Sequence, residues 1–463
     1  EVVSRLYIDN GWKIAKQMIN EAGLLFYWEP YSGPFDSFES VAIPDVPMGE
    51  FWTGGKGAIW NTIPKAARVY GKKIVAAEAF TGRPEISQYT EDPAFLKHTA
   101  DGSFASGANQ LFLHHWVHQP FNDSYQPGMG MGWWGTHFGR HQTWIKPGRA
   151  FFTYLARCQM LLQQGTFIST DETVLHRKTS DADLYFIINP SDSVQTRTFA
   201  FAMKDRMPEL WLPDKGLICR AADWKQTSDS IFVNLKLNAD ESLFLVLPEK
   251  KENGYTALIQ PAVQISEEAS QEIKGPWQIS FVPKLGEPFQ REFSTLSDFS
   301  LLADTAIRYF AGTATYKKTV LLDETALGKG KRGSLDLGEL NDIAELTING
   351  KDAGVLWYPP YQADITPWLK TGENEIEIAV TNNWANRLIG DEQYPADFEW
   401  GQDRGEKLGR AMKAYPEWFI QNRPRPSTGR KTFSIWYYYR KDSPLQPAGL
   451  LGPVNLSWGV IRE

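Results

Sequence analysis

Up to Gly165 the hydrophobic positions switch repeatedly between a helical and an extended period. Leu6, Trp12, Ile14, Ala15, Met18, Ile19 and Ala22 predict a helix over residues 1–23, stopped by Gly23. Leu24 to Trp28 reads as a short strand ending at Glu29 and Pro30. The Gly/Pro-rich stretch from Tyr31 to about Gly57 predicts a long loop carrying Asp36, Glu39, Asp45, Glu50 and Trp52. A helix over 58–70 is broken by Gly71. Ile74-Val75-Ala76-Ala77 then forms an apolar run of the kind buried on both faces of a parallel sheet, and it leads directly into Glu78. A loop over 82–92, a helix over 93–106, a strand from Gln110 to His118, a loop over 119–147 and a helix over 150–164 complete the region.

The order is α-β-α-β-α-β-α, with the long loops after the strands, as in a parallel α/β unit whose functional loops leave the C-terminal strand ends. Three strands are predicted, whereas a (β/α) barrel needs eight and roughly 250 residues. A chain that opens in mid-helix without Met is read as starting partway through such a barrel, with its first five units upstream. Beyond Gly165 short alternating runs separated by turn residues predict antiparallel sandwiches. The expected organisation is the C-terminal βα units of a catalytic barrel over 1–165, a β-sandwich over 166–250, a polar connection over 251–275 and a second sandwich of jelly-roll type over 276–463.

Composition narrows the function. The net charge is −7 with no basic run, which argues against nucleic acid or an anionic membrane surface as partner, and no apolar stretch is long enough to span a bilayer. Aromatics make up 13% of residues, with 18 Trp and 18 Tyr, a density suited to stacking on sugar faces as well as to sandwich cores. Cys158 and Cys219 form neither a disulfide framework nor a metal-ligand spacing.

Carboxylates at strand ends are the leading chemical candidates. Glycosidic cleavage needs one group to protonate the leaving oxygen and another to activate water or attack carbon. Glu29, Glu39, Asp45, Glu50 and Glu78 all fall on strand ends or on the loops behind them; Glu78 is the catalytic candidate, and Glu39 and Glu50 are candidates for contact with substrate or a cation. His114, His115, His118 and His137 cluster around the third strand and its loop, where neutral imidazoles serve sugar hydroxyls or simply fill the core; no zinc motif accompanies them. The Gly-rich run Gly128–Gly135 lacks the Lys of a phosphate cradle and reads as a loop in which Trp133 and Trp134 pack over substrate or fill the barrel mouth.

Several stretches carry a family resemblance. EPYSGPFDSFESVAIPDVPMGEFW, IVAAEAFT, FLHHWVHQPF and YLARCQMLLQQG resemble the last three βα units of glycoside hydrolase family 106, bacterial α-L-rhamnosidases acting on pectin side chains. IRYFAGTATYKK, LDLGELNDIAELTINGKDAGVLWYPPYQADIT and GENEIEIAVTNNWANRLIGD resemble the galactose-binding-type sandwich of that family and of β-galactosidase-like enzymes. The resemblance implies an inverting hydrolase of terminal α-L-rhamnose on an oligosaccharide or polysaccharide, with a bound calcium and a periplasmic or secreted location. Glu78 matches the catalytic base, Glu39 or Glu50 would hold the sugar or the cation, and Trp52, His115 and His118 are assigned to the substrate pocket. The family's general acid belongs to an earlier strand, so this chain alone is expected to be incomplete and inactive. Two readings stand beside this one: a retaining β-galactosidase or β-glucuronidase relative with Glu78 as nucleophile, and a non-catalytic carbohydrate-binding protein.

Overall fold

A computed structural model describes residues 1–55, 62–83, 85–132, 134–249, 259–260, 264–324, 327–328, 330–405, 409–426 and 428–462. The chain divides into two units, the first made of Glu1–Thr81, Leu96–His114 and Phe151–Ala262, the second of Gly82–Phe95, His115–Ala150 and Val263–Glu463.

In the first unit four parallel strands lie side by side in chain order: β1 (Tyr27–Trp28), β2 (Val46–Trp52), β3 (Ala76–Thr81) and β4 (Gln110–Leu113). This corrects the expected count of three. The extra strand, β2, lies inside the stretch expected as a loop, because Pro47 and Gly49 interrupt its apolar pattern and both residue types are rare within strands. Glu50 and Trp52 are therefore strand residues. The flanking strands are shorter than expected. Leu24 and Leu25 are exposed and lie outside β1, and β4 stops at Leu113, before the histidines.

The N-terminal helical stretch is divided into Val2–Tyr7, a π-helical turn Ile8–Trp12 and Lys13–Glu21. A π-turn shifts the phase of the helix face. Ile8, Trp12, Ala15 and Ile19 accordingly pack on Phe26, Trp28, Phe35 and Ile43, while Leu6, Ile14 and Met18 of the expected apolar stripe are exposed. The helix Thr62–Val69 precedes β3 and buries Ile63, Ala66 and Ala67; residues 58–61 of the expected helix lie outside the described residues.

A seven-stranded sheet and a three-stranded sheet follow, the smaller in the order Trp224–Gln226, Ile231–Leu237, Gln195–Phe201. The strand Ser242–Pro248 is buried at every position because both of its faces are covered. Leu243, Leu245 and Leu247 enter the sandwich core with Ile187 and Val233. Phe244 on the other face meets Phe186, which in turn meets Phe104 of the helix Pro93–Ser106.

The second unit is built on a six-stranded and a four-stranded antiparallel sheet enclosing Trp277, Phe281, Tyr316, Leu346, Ile376 and Ile378. Gln264–Glu272, in the stretch expected as a polar connection, is a strand paired with Asn455–Arg462; residues 251–258 and 261–263 of that stretch lie outside the described residues. The loops that follow β3 and β4 belong to this unit. There the Trp384 indole donates to the His141 carbonyl at 2.8 Å and the Trp144 indole to the Glu91 carbonyl at 2.9 Å. Trp133 is outside the described residues. Among the described residues no helix is long and apolar enough to cross a membrane.

Candidate active site

Glu50 and Glu78 are direct register partners on the adjacent parallel strands β2 and β3. Neighbouring strands run about 4.8 Å apart and partners point to the same face, so the two carboxylates share one patch of the C-terminal sheet edge. Glu29 follows β1 by one residue and joins them, since the charges of Glu78 and Glu50 both act on it. Burial first, then these like charges, hold the Glu29 carboxyl above the ordinary carboxylate range against a hydrogen bond from Tyr31. Glu50 is raised in the same way, by burial and then by the Glu78 charge, against a hydrogen bond from the Trp52 indole. Burial, followed by the same carboxylates, pushes up the Tyr31 phenol.

A bulge aims Glu78. Phe51 pairs with Ala79 but Trp52 pairs with Thr81, leaving Phe80 as an extra residue at φ 69°, in the left-handed region that bulky side chains avoid. Its ring is fully buried, edge-on to Phe51 at 5.1 Å and 6.1 Å from Phe151, and that packing offsets the backbone strain. In a regular strand residues 78 and 81 would point to opposite faces. With the bulge, the Thr81 hydroxyl donates to Glu78 Oε1 at 2.7 Å and fixes the orientation of that carboxylate. His114, the first residue past β4, brings Nδ1 to 3.9 Å from the same oxygen.

The remaining candidates are distributed otherwise. Trp52 lies at the end of β2 beside Glu50. Glu39 stands apart: it lies on the short helix Ser37–Ser40, paired with Arg5 at 2.7 Å. The segment around it follows the N-terminal edge of the sheet, where Phe38 meets Tyr70 at 5.9 Å and Lys72, just before β3, donates to the carbonyls of Ala42 and Pro44. Asp45 is structural. Against burial, bonds from the Phe26 N–H, Asn20 and Lys16 pull its carboxyl down to about 2.

His115 and His118 belong to the second unit and are not strand residues, so the expected shared face of 114 and 118 does not arise. The backbone of His115 bonds instead to Thr136 and Phe138. Its ring, 5% exposed, lies edge-on to His137 at 5.1 Å, and His137 stacks on Tyr89 at 4.0 Å and meets the Tyr438 hydroxyl at 3.1 Å. Burial, then the neighbouring His115, lowers the His137 pKa well below its usual value, as expected of a packed neutral imidazole. His118 is exposed and lies 6.4 Å from the ring of Trp116.

Glu29, Tyr31, Thr81 and His114 complete the strand-end cluster and were not among the selected site residues. Glu29 had a signal, its position one residue beyond an apolar run; Thr81 had none, because its contact with Glu78 exists only through the bulge.

Comparisons with known proteins bear on the fold and on parts of the chain. Residues 2–172 match the glycoside hydrolase family 106 alpha-L-rhamnosidase model, and residues 299–418 match the glycosyl hydrolase 2 galactose-binding domain-like model. A putative beta-glucuronidase from Formosa agariphila is 21% identical across 98% of this chain and 69% of its own length. The fold superposes on a rhamnosidase from Novosphingobium sp. PP1Y with a TM-score of 0.81 at 20% identity, covering 98% of this chain and 55% of that one. The chain thus spans little more than half the length of the rhamnosidase it matches. Glu29, Glu50 and Glu78 all lie within residues 2–172, the stretch that matches the alpha-L-rhamnosidase model of glycoside hydrolase family 106.

Proposed function

We propose that the full protein removes terminal α-L-rhamnose from plant polysaccharide of the pectin type, with Glu78 as general base in an inverting reaction. The observation that carries this reading is the register pairing of Glu50 and Glu78 at the C-terminal edge of a parallel sheet, with Glu29 beside them. Glu78, oriented by Thr81, accepts a proton from the attacking water. Glu29 and Glu50 beside it hydrogen-bond sugar hydroxyls, and Trp52 offers its ring to the sugar face. Four parallel strands are half the count of an eight-stranded barrel, and this reading requires the other four, together with the general acid, from outside these 463 residues. A periplasmic or secreted location suits a polysaccharide substrate. Among the described residues no group of three or more His, Cys, Asp or Glu side chains is set to hold a metal ion. No step of this reading runs through the calcium that the resemblance implies.

A retaining reaction with Glu78 as nucleophile is the second reading. It is favoured by the closeness of Glu50 and Glu78, since retaining glycosidases hold their two carboxyls about 5–5.5 Å apart, and by the name of the Formosa relative. In the full-length enzyme Glu78→Gln is expected to lower kcat on an aryl rhamnoside about a thousandfold with little change in sugar binding. Wild-type turnover in that variant removes Glu78 from the chemistry. NMR of the first-formed anomer separates inversion from retention.

A further inference from the structure

Three arginines of the second unit are neutralised in place: Arg387 by Asp391 at 2.7 Å, Arg425 by Asp397 at 2.5 Å and Arg430 by Glu392 at 2.7 Å. Arg410 and Arg440 differ. Among the described residues neither guanidinium is ion-paired, and both line a cavity of about 310 Å³. Ligand sites start at about 300 Å³. The run Tyr437-Tyr438-Tyr439 lines the same cavity.

The cavity is held rigidly before any ligand arrives. The Tyr439 hydroxyl donates to the Gln88 carbonyl at 2.7 Å and the Tyr438 hydroxyl to the Gly132 carbonyl at 2.9 Å. Arg410 Nε donates to the Gly401 carbonyl at 3.0 Å while its guanidinium lies 5.5 Å from the Tyr437 ring centroid. At the Tyr437 hydroxyl, burial and the Glu392 charge are opposed by the positive charges of Arg410, Arg440 and Arg430. Asp403 is the acidic residue among the lining side chains, and its Oδ1 accepts the Gly405 N–H at 2.9 Å, closing a turn.

We propose that this cavity is a binding subsite for an acidic saccharide, a sugar ring carrying a carboxylate. Guanidinium forks match a carboxylate, and phenolic rings match the apolar face and the hydroxyls of a sugar. The saccharide half of the assignment rests on the glycoside hydrolase reading, and the anion half on the two arginines that line the cavity and are not ion-paired among the described residues.

The test is a calorimetric or NMR titration of the chain with methyl β-D-glucuronide, methyl β-D-glucoside and inorganic sulfate. The glucuronide is expected to bind at least tenfold more tightly than either other probe. Arg440→Gln, at an exposed position whose side chain makes no bond to the fold among the described residues, is expected to weaken glucuronide binding about tenfold, and Arg410→Gln by a similar factor. Failure of the glucuronide to bind, equal binding of the two sugars, sulfate binding as tight as the glucuronide, or unchanged affinity in Arg440→Gln overturns the proposal. Glu78→Gln is expected to leave this affinity unchanged, so loss of the rhamnosidase reading and loss of the subsite are read from different measurements.

Discussion

Within the first unit, Asp101 on the one hand and Glu29, Glu50 and Glu78 on the other are surrounded in opposite ways. Asp101 lies against the fully buried Lys97, whose ammonium donates to Asp101 at 2.6 Å, to the Asp240 carbonyl at 2.6 Å and to Ser242 Oγ at 2.9 Å. An ammonium has three donors, and all three are used. The Tyr154 hydroxyl bonds both Asp101 and Ser242, fastening the helix Arg149–Leu162 to the helix Pro93–Ser106 and to the strand Ser242–Pro248. At the strand ends the charges acting on Glu29 and Glu50 are those of other carboxylates, opposed by neutral donors from Tyr31 and Trp52. One cluster neutralises what it buries and holds the fold together. The other crowds like charges at a loop-bearing sheet edge, which costs stability and is the arrangement that active sites use to separate pKa values.

The sharpest way to break this contrast is to remove the cation from the first cluster. Lys97→Met leaves Asp101 buried without a counter-charge and is expected to cost about 3–5 kcal/mol in chemical denaturation. A loss below 1 kcal/mol would mean that the network is incidental to the fold, and the two clusters would no longer differ in kind.

How far the sequence announces these features depends on whether each is local. The strand bearing Glu78 is legible because Ile74 to Ala77 form an unbroken apolar run. The strand bearing Glu50 is hidden by Pro47 and Gly49, and with it the register that sets Glu50 beside Glu78. The pattern predicts a longer β4 than forms, because FLHHWVH stays extended past Leu113 while the backbone of His115 turns to partners at Thr136 and Phe138. Glu39 has the loop position and residue type of a ligand, yet its ion pair with Arg5 depends on the N-terminal helix lying alongside, which no local pattern encodes. The likeness to the rhamnosidase and galactose-binding-like models was legible because it rests on long stretches rather than single contacts.

A finer cut tests whether the bulge at Phe80 serves the carboxylate cluster. Thr81→Val keeps the buried shape and removes the hydroxyl that holds Glu78. A hydrogen bond to a charged group is worth about 1.5–3 kcal/mol, so kcat of the full-length enzyme is expected to fall at least tenfold with the melting temperature nearly unchanged. If kcat is unchanged, the bulge is a packing device for Phe80 and has no part in aiming Glu78.

The smallest effect probes the like-charge crowding itself. The folded-state pKa of Glu50 is raised, by burial and then by Glu78. A group raised above its unfolded value contributes stability that is fully present below the unfolded pKa and lost as pH rises through the folded one. Glu50→Gln cannot ionise and escapes that loss. Relative to wild type, its melting temperature is expected to climb between pH 4 and pH 7, in the direction opposite to a simple lost contact. The half-exposed position of Glu50 keeps the change modest, because solvent screens part of the repulsion. A difference that stays flat or shrinks with pH would mean that Glu50 and Glu78 do not repel each other in solution, and that their adjacency does not cost the stability argued for it here.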